Sequence, residues 1–179
     1  MKIKGIFDQV KEKNILIIGD SMIDSYVIGK IERVSPEAPV PIVNVKNKNI
    51  KLGGAANVAL NIKSLGMKPI LCSVIGDDSE GDSFIKLCNK NKIDTSGIIR
   101  DNSRKTTIKE RIIVEKKHIL RIDSEQTFSI NNEIKNKLLI KVKEKLENSE
   151  IIIFQDYDKG VIDSDLFKKI KKLKKNIFI

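Results

Sequence analysis

The chain has 179 residues, carries 34 basic against 24 acidic side chains for a formal charge of +10, and is 40% hydrophobic but only 4% aromatic, with no Trp. That is enough apolar material for one globular core, which excludes a disordered chain, and too little aromatic surface for stacking on nucleic-acid bases. Arginine, the residue of bidentate phosphate and base recognition, is confined to Arg33, Arg100, Arg104, Arg111 and Arg121. The other basic residues are lysines spread along helix faces, which reads as a solvated surface, so no specific nucleic-acid partner is expected.

The N-terminal stretch MKIKGIFDQVKEKN has the spacing of a short amphipathic helix and is too polar for a secretory signal. Four short continuous apolar runs follow along the chain at 15–18, 70–75, 151–154 and 176–179. Unbroken runs of this length are the pattern of strands covered on both faces. Between them lie helical patterns. Val58, Leu60, Ile62 and Leu65 precede Gly66, placed to end a helix in a left-handed cap; Phe84, Ile85, Leu87 and Cys88 mark a second helix. Ile134, Leu138, Val142 and Leu146 recur every fourth residue after Asn131, a candidate N-cap, and Asp163 or Ser164 is placed to cap a fourth helix. Strands alternating with helices predict an α/β sandwich on a mostly parallel sheet.

Two segments break that rhythm. Residues 24–45 hold three prolines among short alternating patterns, and residues 106–123 read as two β-rich strands. Proline excludes a central strand, so both segments are expected in a small sheet standing off the main one as a lid. The chain ends on the apolar Asn-Ile-Phe-Ile, which reads as a strand cut short, so truncation at the C-terminus is expected. No stretch approaches the roughly 18 apolar residues of a membrane span, and Cys72, Cys88 and the single His118 suggest neither a zinc site nor a disulfide framework. A cytoplasmic protein without membrane contact is expected.

In open α/β folds ligands sit at the carboxyl ends of parallel strands. Asp20, Asp77 and Asp156 fall there, with Asp24 close behind Asp20. Any one strand-end Asp reads as a turn former; Asp20, Asp24 and Asp156 together read as a polar site for the hydroxyls of a polyol. Gly53 and Gly54 open a helix whose free N–H groups suit an anion, with Asn57 on its first turn. A close helix-to-strand contact explains the two glycines equally well, and neither common nucleotide-loop pattern is present. Lys109, Arg111, Arg121 and Lys159 are the cations nearest the strand ends or lid, and each reads equally as surface charge.

Several stretches carry a more specific signal: ILIIGDSMIDSYVIG at 15–29, RVSPEAPVPIV at 33–43, LGGAANVALNIKSLG at 52–66, VIGDDSEG at 74–81, TTIKERII at 106–113, ILRID at 119–123 and QDYDKGVI at 155–162. With these the chain resembles the ribokinase-like carbohydrate kinases, and among them the heptose 7-phosphate kinase domains of ADP-heptose biosynthesis. The resemblance implies a three-layer α/β/α sandwich with a small β lid that mediates homodimerisation. It implies ATP-dependent phosphorylation, with Mg2+, of D-glycero-β-D-manno-heptose 7-phosphate at O1, on the route to lipopolysaccharide core. Carried over, it implies that Asp20, Asp24, Gly53, Gly54, Asn57, Asp156 and Lys159 bind sugar and that Arg121 takes the 7-phosphate. The family continues into a nucleotide site and a Gly-Ala-Gly-Asp motif bearing the catalytic base and anion hole, which these 179 residues lack. The expectation is therefore a chain covering the sugar-binding portion, with no catalytic residue of its own, that binds the sugar phosphate without transferring phosphate to it. The alternative is a non-catalytic sugar-phosphate-binding or dimerising remnant.

Overall fold

A computed structural model describes residues 10–173. In chain order it contains β1 (Asn14–Gly19), β2 (Ser21–Val34), β3 (Pro41–Gly54), α1 (Ala55–Ser64), β4 (Lys68–Gly76), α2 (Ser79–Lys90), β5 (Asp94–Asp101), β6 (Ile108–Val114), β7 (Lys117–Ser124), α3 (Asn132–Leu146), β8 (Ile151–Gln155) and α4 (Ser164–Leu173). The helix expected over 1–14 and the strand expected at 176–179 fall wholly or mainly outside the described residues.

The main sheet has the order β5-β4-β1-β8 with every pairing parallel. Its strands are apolar on both faces because both are covered. Along β1, Ile15 and Ile17 face α1 and α2, where Ala55, Ala56, Ala59, Phe84 and Cys88 are buried. Leu16 and Ile18 point the other way, onto Ile134, Leu138, Val142, Leu166 and Ile170 of α3 and α4. The result is the expected three-layer α/β/α arrangement. Both thiols lie in these layers, and burial pushes Cys72 and Cys88 up to about 12.

Local signals end the helices where they were read. Asn131 Oδ1 accepts the N–H of Ile134 at 2.9 Å and Asp163 Oδ1 that of Leu166 at 2.7 Å, each satisfying a first-turn donor. Gly66 takes φ 84° just beyond α1. Lys135 is nearly buried and bridges α3 to α4 through its short contact with Asp163.

The second sheet has the order β3-β2-β6-β7. It contains both segments that broke the strand and helix rhythm, but the expectation that prolines keep 24–45 out of a central strand is corrected. β2 is central, flanked by β3 antiparallel and β6 parallel. Pro36 and Pro39 lie in the turn between β2 and β3, and Pro41 is the first residue of β3, so none removes a ladder donor from within β2. The two strands are 14 residues each. β3 carries straight through Lys51-Leu52-Gly53-Gly54 into α1, with no loop between strand and helix. β5 was not read from the sequence; its only apolar pair is Ile98-Ile99, as suits an edge strand.

Candidate functional site

The site forms where β1 hands over to the second sheet. Asp20 lies between β1 and β2 and is 1% exposed. Its Oδ2 accepts the backbone N–H groups of Tyr157 at 2.7 Å and Lys159 at 3.1 Å, and its Oδ1 that of Val161 at 3.2 Å. Its backbone is equally engaged, donating to Gln155 O at 3.0 Å and accepting from Ala55 N–H at 2.8 Å. One residue thus ties together the end of β1, the loop after β8 and the start of α1. Burial pushes its carboxyl above the ordinary 3.8, the three backbone donors pull it down, and the nearby Asp156 carboxylate pushes it up.

Asp24 is placed differently. It sits on β2, opposite Lys51 of β3 and Lys109 of β6, and Lys109 faces Asp123 of β7. Two residues on, Tyr26 lies opposite Asn49 and Arg111, and Arg111 opposite Arg121. Because side chains alternate with period two, these positions share one face of the sheet. Arg111 Nη1 donates to Asp24 Oδ1 at 2.6 Å, and its guanidinium lies 5.4 Å over the Tyr26 ring, which Lys51 Nζ also approaches at 5.3 Å. Lys109 pairs with Asp123 and Glu125 at 3.4 Å each, Lys159 with Glu125 at 2.9 Å, and Arg121 with Asp123 at 2.8 Å. Salt bridges hold Asp123 and Glu125 below the usual carboxylate range despite the burial that opposes it.

The two glycines answer to these two carboxylates separately. A Cβ on Gly53 would lie 2.7 Å from Asp24 Oδ2, so the bare backbone makes room for that oxygen. A Cβ on Gly54 would lie 2.2 Å from the carbonyl oxygen of Asp20, and Gly54 holds φ 57°. Gly54 is the N-cap of α1 without a side-chain cap, no acidic residue occupies the first turn, and Asn57 there is exposed. Asp156 is exposed at the mouth of the β8 loop, where its Oδ1 accepts the N–H of Asp158 at 2.8 Å.

Of the residues read from sequence, Gly53 lies against Asp24 and Gly54 against Asp20, Lys159 joins the charged face through Glu125 and Arg121 through Asp123, while Asn57 and Asp156 are exposed on α1 and the β8 loop. The Asp20 carboxylate is turned into the protein. Asp77 lies apart, paired with Arg100 at 3.2 Å, and His118 is exposed on β7. Sequence reasoning left Lys109 and Arg111 among undifferentiated cations and passed over Lys51, Asp123 and Glu125. The signal that finds them is register: 24 and 26, 49 and 51, 109 and 111, 121 and 123 alternate toward one face. A cavity of about 230 Å³ opens on the opposite face beside α2, lined by Ile23, Ser25, Lys48 and Glu110 among others, and none of the expected site residues line it.

The model of the pfkB family of carbohydrate kinases matches residues 12–178. The chain belongs to that family. Among pfkB-family and related proteins, it is 48% identical over 158 residues to the bifunctional protein HldE of Helicobacter pylori strain HPAG1, which covers 88% of this chain and 34% of that protein. It is 43% identical over 160 residues to the bifunctional protein HldE of Aliarcobacter butzleri, covering 89% and 34%. The chain thus spans about a third of the length of these relatives. Solved structures share the fold: a putative phosphofructokinase from Staphylococcus aureus at TM-score 0.69 and 18% identity, covering 89% of this chain and 49% of that one. The tetrameric inhibited form of phosphofructokinase-2 from Escherichia coli matches at TM-score 0.68 and 15% identity, covering 93% and 53%. No helix among the described residues is long and apolar enough to cross a membrane.

Proposed function

We propose that this chain forms the acceptor side of a sugar kinase of ADP-heptose biosynthesis, binding D-glycero-β-D-manno-heptose 7-phosphate for ATP-dependent phosphorylation at O1 to the 1,7-bisphosphate. The observation that carries the reading is the charged face of the second sheet. Asp24 Oδ1 is held by Arg111, while Oδ2 lies against the bare backbone of Gly53 with no hydrogen bond among the described residues, free to accept sugar hydroxyls. Around it Lys51, Lys109, Arg111 and Arg121 of the sheet and Lys159 of the β8 loop stand against Asp24, Asp123 and Glu125, five cations to three carboxylates. That surplus of cation matches a phosphate monoester dianion, with Arg121 at the rim as its first contact. Gly54, Asn57, Asp156 and Lys159 enclose the sugar from the α1 and β8 sides. Asp20, whose carboxylate is taken up by backbone donors, acts on the sugar through the loop it holds.

ATP and Mg2+ belong to the proposed whole-protein reaction. The residues in hand do not fit either: among the described residues no three His, Cys, Asp or Glu gather to hold a metal, and the sequence has no Gly-Ala-Gly-Asp motif or glycine-rich nucleotide loop. Positioning and electrostatic stabilisation of the moving phosphoryl group are what such enzymes supply, so the 179 residues alone bind and do not transfer. In calorimetry the chain should bind heptose 7-phosphate saturably, and Asp24→Ala should weaken binding by roughly tenfold or more, the effect of losing hydrogen bonds to a charged group. Absence of saturable binding by the parent chain, or turnover of the sugar phosphate with MgATP by the 179 residues, overturns the reading.

The reading includes a homodimer through the lid. The face opposite Asp24 exposes Ile50, Leu120 and Ile122 around the Ser25, Glu110 and Lys48 contacts, apolar side chains about a polar centre that suit a second copy. Light scattering should give a dimer mass for the parent and a monomer mass for Leu120→Lys. A monomeric parent at micromolar concentration removes the lid as an interface.

A further inference from the structure

The geometry points to Arg104 as the residue that positions the sugar-side loop 156–161, by gripping Lys159 from the side opposite Asp20. Arg104 lies in the turn between β5 and β6, and its side chain is 5% exposed, so it contacts the loop rather than solvent or ligand. Its Nη2 donates both to the carbonyl of Lys159 at 3.0 Å and to that of Phe128 at 2.9 Å, and its guanidinium lies 5.6 Å over the Phe128 ring. The N–H of the same Lys159 donates to Asp20. A buried anion therefore holds the amide of residue 159 while a buried cation holds its carbonyl.

The grip reaches further than one residue. Ile130 N–H donates to Gly160 O at 2.9 Å, so the turn after β5, the segment before α3 and the loop after β8 meet around one guanidinium. From that loop the Lys159 side chain leaves toward Glu125, and Asp156 is exposed to solvent.

Arg104 is an expensive way to fill this space. Its Nε makes no hydrogen bond, and neither does Asp101 Oδ2, which faces it 3.9 Å away in a carboxylate that is itself 1% exposed. Burying a cation with an orphaned donor costs stability that an apolar side chain of similar volume would not. What the guanidinium supplies instead is a planar fork that two carbonyls in different loops can share, which an ammonium on a flexible stem matches poorly. The assignment to a sugar loop rests on the function proposed above; the clamp itself does not.

Amide hydrogen exchange by NMR on the 179-residue chain separates the two. The ratio of exchange at Tyr157, Lys159 and Val161 to that at Leu16–Ile18 should rise at least tenfold in Arg104→Met and by a smaller factor in Arg104→Lys. Phe84→Leu, buried in the layer on the other face of the main sheet, should lower global stability without raising the ratio, because core amides exchange through global unfolding and loop amides through local opening. Should Arg104→Met not fold, Arg104→Lys and Asp101→Asn must each still raise the ratio. An unchanged ratio in the folded Arg104 variants overturns the clamp. With calorimetry on the same samples, heptose 7-phosphate should bind at least tenfold more weakly to Arg104→Met. A raised ratio in a chain whose parent does not bind the sugar phosphate upholds the clamp and overturns the functional reading.

Discussion

Gly54→Ala is expected to destabilise the chain by about 3 kcal/mol or more, the sum of a glycine-only backbone conformation and a collision with main chain. Gly54 sits at φ 57° and ψ −135°, a region L side chains rarely adopt. A methyl group there would lie 2.2 Å from the carbonyl oxygen of Asp20. That oxygen cannot swing aside cheaply, because it accepts the first N–H of α1 at 2.8 Å. Gly66→Ala provides the comparison: φ is also positive, at 84°, but the added Cβ would meet only the flexible Lys11 side chain at 3.5 Å. Its expected cost is about 1 kcal/mol, that of the left-handed conformation alone. Urea denaturation of both variants gives the difference directly. Equal costs would mean that the approach of α1 to the β1 end is loose enough to relax.

The contrast between these glycines shows what sequence can and cannot carry. Gly66 was legible as a helix stop because the reason for it lies within four residues, in the helical period before it. The caps Asn131 and Asp163 were legible on the same ground, since a short acceptor three residues before a free N–H is a local geometry. The strands β1, β4 and β8 announced themselves because both faces of a parallel sheet are covered and their apolar runs are continuous but for Ser73 in β4. Gly54 was legible as an anion seat or a close helix-to-strand contact without deciding between them, because its partner Asp20 is far away along the chain. β5 offered too little, two isoleucines between polar ends. The prolines misled for a related reason: they govern the residues where they stand, and the chain bends back on itself there, leaving β2 free to sit in the middle of its sheet.

The charged face shows the same limit at the level of the site. Asp24 and Arg111 are 87 positions apart yet share a 2.6 Å hydrogen bond. Nothing in either neighbourhood pairs them; only the parallel register of β2 and β6 does. Once that register is known, the alternation of each strand separates the charged face of Asp24 and Arg111 from the face of Ile23, Ser25 and Ile50 without further information. Arg104 had no such pattern to betray it. Its role follows from burial and from two carbonyls supplied by distant loops.

Asp20→Ala is expected to cost about 4 kcal/mol at neutral pH, because three backbone donors lose a charged acceptor worth roughly 1.5 to 3 kcal/mol apiece, partly offset where water reaches the exposed end of the loop. Asp20→Asn should recover part of the loss, since its carbonyl oxygen can keep the Tyr157 and Lys159 N–H groups while its NH2 group faces only the longer Val161 contact. The pH dependence has a definite sign. Burial raises the Asp20 carboxyl above the ordinary 3.8 in the folded chain, so folding favours its protonated form. Its contribution is then complete below pH 3.8 and declines as the pH rises through the raised value. The stability gap between parent and Asp20→Ala should accordingly widen as the pH is lowered toward 3.8, the reverse of the behaviour of a salt-bridged surface carboxylate. Urea midpoints across that range measure it. A variant as stable as the parent would show that the β8 loop is held by Arg104 and its own turn geometry. A loss of several kcal/mol places the Asp20 carboxylate in the framework that holds the loop carrying Asp156 and Lys159.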